Sequence, residues 1–199
     1  MKCIEIKLPD WNLKGTIKKL ILMKNNYTLN LEDMPVKEAH KLDQKKLSDF
    51  LIGKLVNFSS INKIGQFNEG QSNPTYVIES LEGYRYVLRK KPPGKLLPSA
   101  HAVDREYKVQ KALYETDVPV AKMYLYCEDE NIVGTPFYIM EYLEGRVFLD
   151  TTLPGHTSED RTAIYNSMNE TLAALHKIKP EDIGLENFGR PGSYFVRQL

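Results

Sequence analysis

The chain has 199 residues, of which 42% are hydrophobic and 27% charged, a composition typical of a globular protein with one domain or slightly more. Its net charge of +1, from 27 basic and 26 acidic residues, argues against nucleic acid as the main partner. No apolar run approaches the roughly 20 residues of a transmembrane helix, and the two cysteines, Cys3 and Cys127, lack metal-ligand spacing, which favours free thiols in an intracellular protein.

Residues 1–40 give no clear prediction and are treated as an extension of unknown role, either a flexible segment or the end of an upstream domain. Six lysines fall among the first 24 residues. A mitochondrial presequence would be rich in arginine and poor in acids, whereas this stretch has no arginine and contains Glu5 and Asp10. The compartment therefore stays open between cytoplasm, mitochondrion and peroxisome.

The first predicted helix begins after Asp43, a suitable N-cap residue. Apolar residues follow at helical spacing, namely Leu47, Phe50, Leu51 and Leu55. Residues 58–67 alternate loosely and predict a strand. Two further apolar runs, residues 75–81 and 84–88, are joined by Glu82 and Gly83 and predict an antiparallel hairpin.

The next predicted helix begins at Ser99 as N-cap and runs to about Glu115. Its apolar stripe consists of Ala102, Val103, Val109 and Leu113, and Glu106 lies on that same stripe. A carboxylate on a buried face needs a cationic partner, because desolvation without one costs several kcal/mol. The nearest candidate is Arg89, at the end of the hairpin. The alternative is a Glu106 at the edge of the stripe, reaching water.

Two more strands are predicted at residues 121–127 and 136–140, with residues 128–131 as the turn between them. A linker follows at residues 145–155. The last predicted helix covers residues 158–176 with Ser158 as N-cap. Ile164, Met168 and Leu172 share one of its faces, and we expect all three to be partly exposed, as a surface for aggregation or partner binding.

A turn with small residues, Phe-Asn-Glu-Gly-Gln-Ser-Asn-Pro-Thr-Tyr at residues 67–76, precedes the hairpin. Small residues let a backbone approach a ligand closely and direct N–H groups at an anion. The hairpin then ends in three cations, Arg89, Lys90 and Lys91. This combination suggests a nucleotide site, although an ordinary turn is the alternative explanation.

The order of these elements resembles the small lobe of protein-kinase-like phosphotransferases. More narrowly, the chain resembles the aminoglycoside phosphotransferase-like family, and above all the kinase-like domains attached to some acyl-CoA dehydrogenases. The similarity covers roughly residues 43–199, and its most specific phrases are Gly-Gln-Ser-Asn-Pro-Thr at residues 70–75 and Tyr-Val-Leu-Arg-Lys-Lys-Pro-Pro-Gly at residues 86–94. The resemblance implies an α+β fold: an antiparallel sheet plus one helix as the small lobe, followed by the first part of an α-helical large lobe.

The resemblance also implies a set of nucleotide-binding residues. Arg89 stands where kinases place the lysine that holds the α- and β-phosphates, and Glu106 matches the helix glutamate that orients this cation. Val87 shares a strand face with Arg89, toward the cleft. Gly70, Gln71, Ser72 and Asn73 match the turn that covers the phosphates, where Ser72 and backbone N–H groups would meet them. Glu141 and Leu143 match the hinge that bonds the adenine edge.

No catalytic residue is assigned. The family requires a catalytic aspartate in a His-Gly-Asp-type loop and a second aspartate for Mg²⁺, and no His-x-Asp followed by Asn occurs in the sequence. Asp182-Ile-Gly184 imitates a kinase Asp-Phe-Gly motif, but no catalytic loop precedes it. The resemblance thus implies ATP and Mg²⁺ as cofactors of the parent family, with the Mg²⁺ site absent from this chain.

These observations predict three regions: an extension at residues 1–40, a kinase-like small lobe and hinge at residues 41–145, and the start of a truncated large lobe at residues 146–199. The first functional hypothesis is the nucleotide-binding part of a phosphotransferase that acts on a small hydroxylated substrate, such as a hydroxyacyl group, and that is inactive as this fragment. Its further partner would be an acyl-CoA dehydrogenase domain, fused or associated. The second hypothesis is a non-catalytic module that binds nucleotide or a partner.

Overall fold

A computed structural model describes residues 30–67, 72–94, 100–145, 148 and 150–189. The described residues divide into two compact units, one within residues 144–170 and the other within residues 28–143 and 171–199. The second unit contains a five-stranded antiparallel sheet in the order β1-β2-β3-β5-β4. Its strands are β1 (Ile61–Gln66), β2 (Thr75–Ser80), β3 (Arg85–Lys90), β4 (Met123–Cys127) and β5 (Phe137–Glu141). The predicted α+β fold class is therefore confirmed.

Four α-helices accompany the sheet in the described part of the chain: α1 (Gln44–Leu51), α2 (Val103–Leu113), α3 (Glu130–Val133) and α4 (Ser158–Lys177). Three 3-10 turns cover Leu31–Asp33, Glu38–His40 and Pro180–Ile183. None of the helices found among these residues is long and apolar enough to cross a bilayer.

The predicted hairpin is confirmed, and its register fixes which side chains share a face. Thr75 lies directly opposite Arg89, and Val77 lies opposite Val87. Directly paired residues project to the same side of a sheet, and side chains alternate along each strand. Thr75, Val77, Val87 and Arg89 therefore line one face, which we call the inner face.

Helix α1 covers the other face. Asp43 caps it as predicted, because its carboxylate accepts a hydrogen bond from the Lys46 N–H at 3.0 Å. Leu47 and Leu51 are fully buried in the main core. The rest of this core comes mainly from the sheet: Tyr76, Ile78, Tyr86, Leu88, Phe137 and Ile139.

Helix α2 belongs to the inner face, where Val103 forms a second cluster with Met123 and Tyr138. The helix begins later than predicted, with Ala102 rather than Ser99 as N-cap and no side-chain hydrogen bond at the cap. His101 has φ of +57°, a left-handed conformation that cannot belong to an α-helix. This residue therefore delays the helix start, and Ser99 itself lies outside the described residues.

The connection between β4 and β5 is not the simple turn that was predicted but the short helix α3. Asp129 caps it, since its carboxylate accepts from the Asn131 N–H at 2.9 Å. Gly134 ends it at φ of +84°, a conformation that glycine adopts at little cost.

Residues 30–40 pack against the sheet, which the sequence did not reveal. Leu31 and Met34 are buried in a cluster with Val77 of the inner face. The segment is fastened to the edge strand by a hydrogen bond from the Gln66 N–H to the Met34 carbonyl, 3.1 Å long. Gly65 makes this contact possible, because a Cβ there would lie only 2.9 Å from Leu31 Cδ2.

Helix α4 differs from expectation at its start and on one face. Its cap is Thr157 rather than Ser158, because Thr157 Oγ1 accepts from the Asp160 N–H at 3.1 Å. Met168 and Leu172 are 59% and 50% exposed, as expected, whereas Ile164 is only 7% exposed, so that prediction was wrong. Helical periodicity shows which residues share a face but not which of them the neighbouring chain covers.

Lys90 is separated from the other cations of its run, because alternation along β3 directs it to the face opposite Arg89. Its side chain is buried, and its ammonium donates a hydrogen bond to the Val133 carbonyl. Burial lowers the pKa of Lys90 below its usual 10.5. The three consecutive cations of the sequence therefore do not form one charged cluster.

Replacement of the fully buried Leu47 by alanine should lower the free energy of unfolding by roughly 2–5 kcal/mol, through lost burial and the cavity left behind. The matched control is Leu81→Ala, at a side chain that is 62% exposed, where a change within about 0.5 kcal/mol is expected. Urea denaturation of both variants measures the difference. Equal losses would contradict the assignment of α1 to the core.

Lys90→Met should change how stability depends on pH. Between the lowered pKa of folded Lys90 and 10.5, the unfolded chain holds the proton and the folded chain does not, so the wild type gains stability as pH rises. The methionine variant lacks this gain. Urea denaturation of both proteins at neutral pH and near pH 10 should show that the free energy of unfolding of the wild type rises relative to that of the variant as the pH is raised. An equal difference in free energy of unfolding at the two pH values would contradict this prediction.

Candidate functional site

The centre of the candidate site is an ion pair between β3 and α2. Arg89 Nε lies 2.8 Å from Glu106 Oε2, and the two side chains are 27% and 33% exposed. Glu106 lies on the apolar stripe of α2 and was predicted to need a cationic partner. Its predicted pairing with Arg89 is confirmed. The carboxylate pairs with Arg89 although a third of its side chain is exposed.

Glu106 accepts two further hydrogen bonds. Asn73 Nδ2 donates to Oε1 at 2.9 Å, and the Tyr138 hydroxyl donates to Oε2 at 3.0 Å. Burial, reinforced by the nearby charge of Glu106, raises the pKa of Tyr138 well above its ordinary value. The phenol therefore stays protonated and serves as a donor across the neutral pH range.

Arg89 makes further contacts with the segment that enters β2. Its Nη1 donates to Thr75 Oγ1 at 2.8 Å and, at 3.4 Å, to the Asn73 carbonyl. Within the described part of the chain, Nη2 makes no hydrogen bond. A guanidinium with unused N–H groups can bind an anion such as phosphate.

Asn73 joins this site to the start of α2. Its side chain is buried, at 3% exposed, and its Oδ1 lies 2.9 Å from His101 Nδ1. Because Nδ2 donates to Glu106, the atom that faces His101 is the amide oxygen, which can only accept. His101 therefore carries its proton on Nδ1 and donates to Asn73.

Sequence reasoning missed Thr75, His101 and Tyr138 as members of this site. Thr75 and Tyr138 lie directly opposite Arg89 on its two neighbouring strands. The hairpin register could have identified Thr75, because residues paired across a hairpin share a face. Tyr138 required knowledge that β5 lies beside β3, and His101 had no local signal.

The other predicted residues are less closely connected. Gly70 and Gln71 lie outside the described residues, and Ser72 is exposed. Glu141 ends β5, where its carboxylate accepts from the Lys122 N–H at 3.1 Å and its own N–H donates to the Lys122 carbonyl at 2.9 Å. Leu143 is 59% exposed. Their roles at a phosphate turn and a hinge stay predictions.

Asp182 lies in the 3-10 turn Pro180–Ile183, which Gly184 ends at φ of +71°. The Asp-Ile-Gly sequence is thus part of a helical turn. Among residues 30–67, 72–94, 100–145, 148 and 150–189, no group of three or more His, Cys, Asp or Glu side chains is suited to hold a metal ion.

The antiparallel sheet and its helices match an aminoglycoside phosphotransferase fold, and comparison with known proteins gives the family. Residues 63–199 match the sequence model of the phosphotransferase enzyme family, APH, and the chain belongs to that family. A crystal structure assigned to the aminoglycoside phosphotransferases, from Ralstonia eutropha, superposes with a TM-score of 0.67 at 44% identity. The match covers 79% of this chain and 45% of that one.

Particular relatives are acyl-CoA dehydrogenase family proteins. The chain is 49% identical to IBR3 of Arabidopsis thaliana over 171 residues. This match covers 82% of this chain and 21% of that protein. It is 46% identical over 165 residues to human acyl-CoA dehydrogenase family member 11, covering 80% of this chain and 21% of the relative. The chain thus spans about a fifth of the length of these relatives.

Tyr138→Phe should lower the free energy of unfolding by roughly 1.5–3 kcal/mol, because the hydroxyl donates to a charged carboxylate. The control is Tyr84→Phe, at a side chain that is 51% exposed, where little change is expected. A double-mutant cycle with Glu106→Gln should give a coupling free energy of about 0.5–3 kcal/mol in urea denaturation. Additive effects would show that Tyr138 does not support Glu106.

Proposed function

We propose that this chain supplies the nucleotide-binding part of an ATP-dependent phosphotransferase that acts on a small hydroxylated substrate. The observation that carries this proposal is the Arg89 guanidinium, which Glu106 and Thr75 hold on the inner face while Nη2 makes no hydrogen bond in the described part of the chain. Membership of the phosphotransferase enzyme family supports the same assignment.

In this proposal Arg89 binds the α- and β-phosphates of ATP, and Glu106 orients it. Arginine suits the task because its planar fork bonds phosphate oxygens at fixed angles and remains charged at every physiological pH. Ser72 and the backbone N–H groups of residues 70–72 would complete the phosphate site, and the backbone of Glu141 and Leu143 would bond the adenine.

ATP would supply the transferred phosphoryl group, and Mg²⁺ accompanies it in phosphotransferases generally. No Mg²⁺ ligand is assigned to this chain. We infer that residues 41–145 bind nucleotide as the small lobe and hinge and that residues 146–199 begin the large lobe. The chain alone is expected to bind ATP without transferring phosphate.

The acceptor class rests on the relatives. Their names place this domain beside acyl-CoA dehydrogenase activity, which acts on acyl groups. Kinase-like phosphotransferases commonly transfer the phosphoryl group to a hydroxyl, so a hydroxyacyl group is the substrate that we propose for the whole protein. An acyl-CoA dehydrogenase domain, fused or associated, would be the partner that shares this acyl group.

Arg89→Met should weaken ATP binding by about 10- to 100-fold, because it removes charge-assisted hydrogen bonds to phosphate. Arg89→Lys should bind with intermediate affinity, since it keeps the charge but loses the fork. Isothermal titration calorimetry with ATP, with and without Mg²⁺, measures these affinities.

The matched control is Lys45→Met. Lys45 lies on α1, which covers the other face of the sheet, and it pairs with Asp49, with Nζ 2.8 Å from Oδ2. Its loss removes the same charge and should leave ATP affinity within about twofold of the wild type, because the proposed phosphate site lies on the inner face. Equal losses at both positions, or none at Arg89, would contradict the proposal.

A further inference from the structure

We propose that Asn73 and His101 are positioning residues that keep one side of the Arg89 guanidinium open for phosphate. They act through Glu106, as a chain of hydrogen bonds from His101 to Asn73 to Glu106 to Arg89. The inference rests on the proposed function, since phosphate is the ligand for which the guanidinium would be kept open.

An arginine and a carboxylate ordinarily prefer two parallel hydrogen bonds. In the side-on form, Nε and Nη2 of the guanidinium each donate to one carboxylate oxygen. Here only the first of these bonds is made, from Arg89 Nε to Glu106 Oε2 at 2.8 Å. The second oxygen, Oε1, instead accepts from Asn73 Nδ2 at 2.9 Å. Asn73 thereby holds Oε1 in a direction away from Nη2, so the second bond of the pair is not formed.

Asn73 is suited to this role and not to direct ligand binding. Its side chain is 3% exposed, and both polar atoms are used within the protein, Nδ2 on Glu106 and Oδ1 on His101. Its backbone carbonyl accepts from Thr75 Oγ1 at 3.0 Å. The amide must donate on one side and accept on the other, which neither aspartate nor leucine can do.

His101 anchors the far end of the Asn73 amide. The Glu106 carboxylate can only accept, so Nδ2 points to Glu106, and Oδ1 then accepts from His101 Nδ1–H on the other side. The residue has φ of +57°, a conformation that costs a residue other than glycine about 1 kcal/mol or more and that must be held by its surroundings. Its carbonyl accepts from the Val103 N–H at 2.9 Å, which ties this position to the first turn of α2.

Two substitutions at His101 separate its hydrogen bond from its backbone conformation. Asparagine tolerates positive φ, and its Nδ2 can replace the imidazole Nδ1–H as donor, whereas glycine tolerates the conformation without providing a donor. His101→Asn should bind ATP within about twofold of the wild type, and His101→Gly should bind roughly 3- to 10-fold more weakly. Circular dichroism checks that both variants are folded under the titration conditions.

The second measurement does not require a nucleotide. In a crystal structure of Asn73→Leu, Glu106 should turn so that Oε1 accepts from Arg89 Nη2, giving the two-bond pair. Its ATP affinity should fall at least as far as that of His101→Gly, because Nη2 is then occupied. A single-bond pair in that crystal structure would overturn the inference.

The outcomes distinguish the two proposals. If the wild type binds ATP and Arg89→Met does not, while Asn73→Leu and His101→Gly bind like the wild type, the positioning roles are wrong and the nucleotide site stands. If the wild type does not bind ATP, the proposed function fails. The crystal structure of Asn73→Leu then decides alone whether Asn73 controls the pairing of Arg89.

Discussion

A carboxylate that leaves water must find donors, and Glu106 meets this requirement between helix α2 and the sheet. Arg89, Asn73 and Tyr138 each donate to it, from β3, the segment before β2 and β5. Its desolvation is therefore offset only when these parts of the fold are in place. One of these three bonds comes from Arg89 Nε, so the contacts that stabilise the helix against the sheet also fix the position of the Arg89 guanidinium.

Strand alternation decides which cations take part in this arrangement. Arg89 faces α2, whereas Lys90 is buried on the other face, where its ammonium bonds the Val133 carbonyl. The inner face also receives Leu31 and Met34, which pack against Val77 beside the hairpin. One face of a five-stranded sheet thus combines a charged end, at Arg89, with an apolar region covered by the segment before α1.

The family assignment rests on sequence similarity, and the geometry of the site agrees with it. The match over residues 63–199 places the chain among the phosphotransferases, while the relatives connect such domains with acyl-CoA dehydrogenases. The Arg89–Glu106 pair gives this assignment a physical basis, because a half-buried cation oriented by a carboxylate is suited to bind phosphate. Asn73, in the turn predicted to cover the phosphates, donates to Glu106 through its side chain.

The sequence by itself determined the hairpin, the cap at Asp43 and the pairing of Glu106 with Arg89, because these follow from local periodicity and from the need to neutralise a charge on an apolar stripe. The start predicted for α2 was too early, and Ile164, predicted to be partly exposed, is buried. Tyr138 and His101 could not be predicted, since strand order and a left-handed backbone at His101 bring them to the site. Tertiary structure alone decided these contacts, because residues distant in sequence meet only when the sheet and helices pack together.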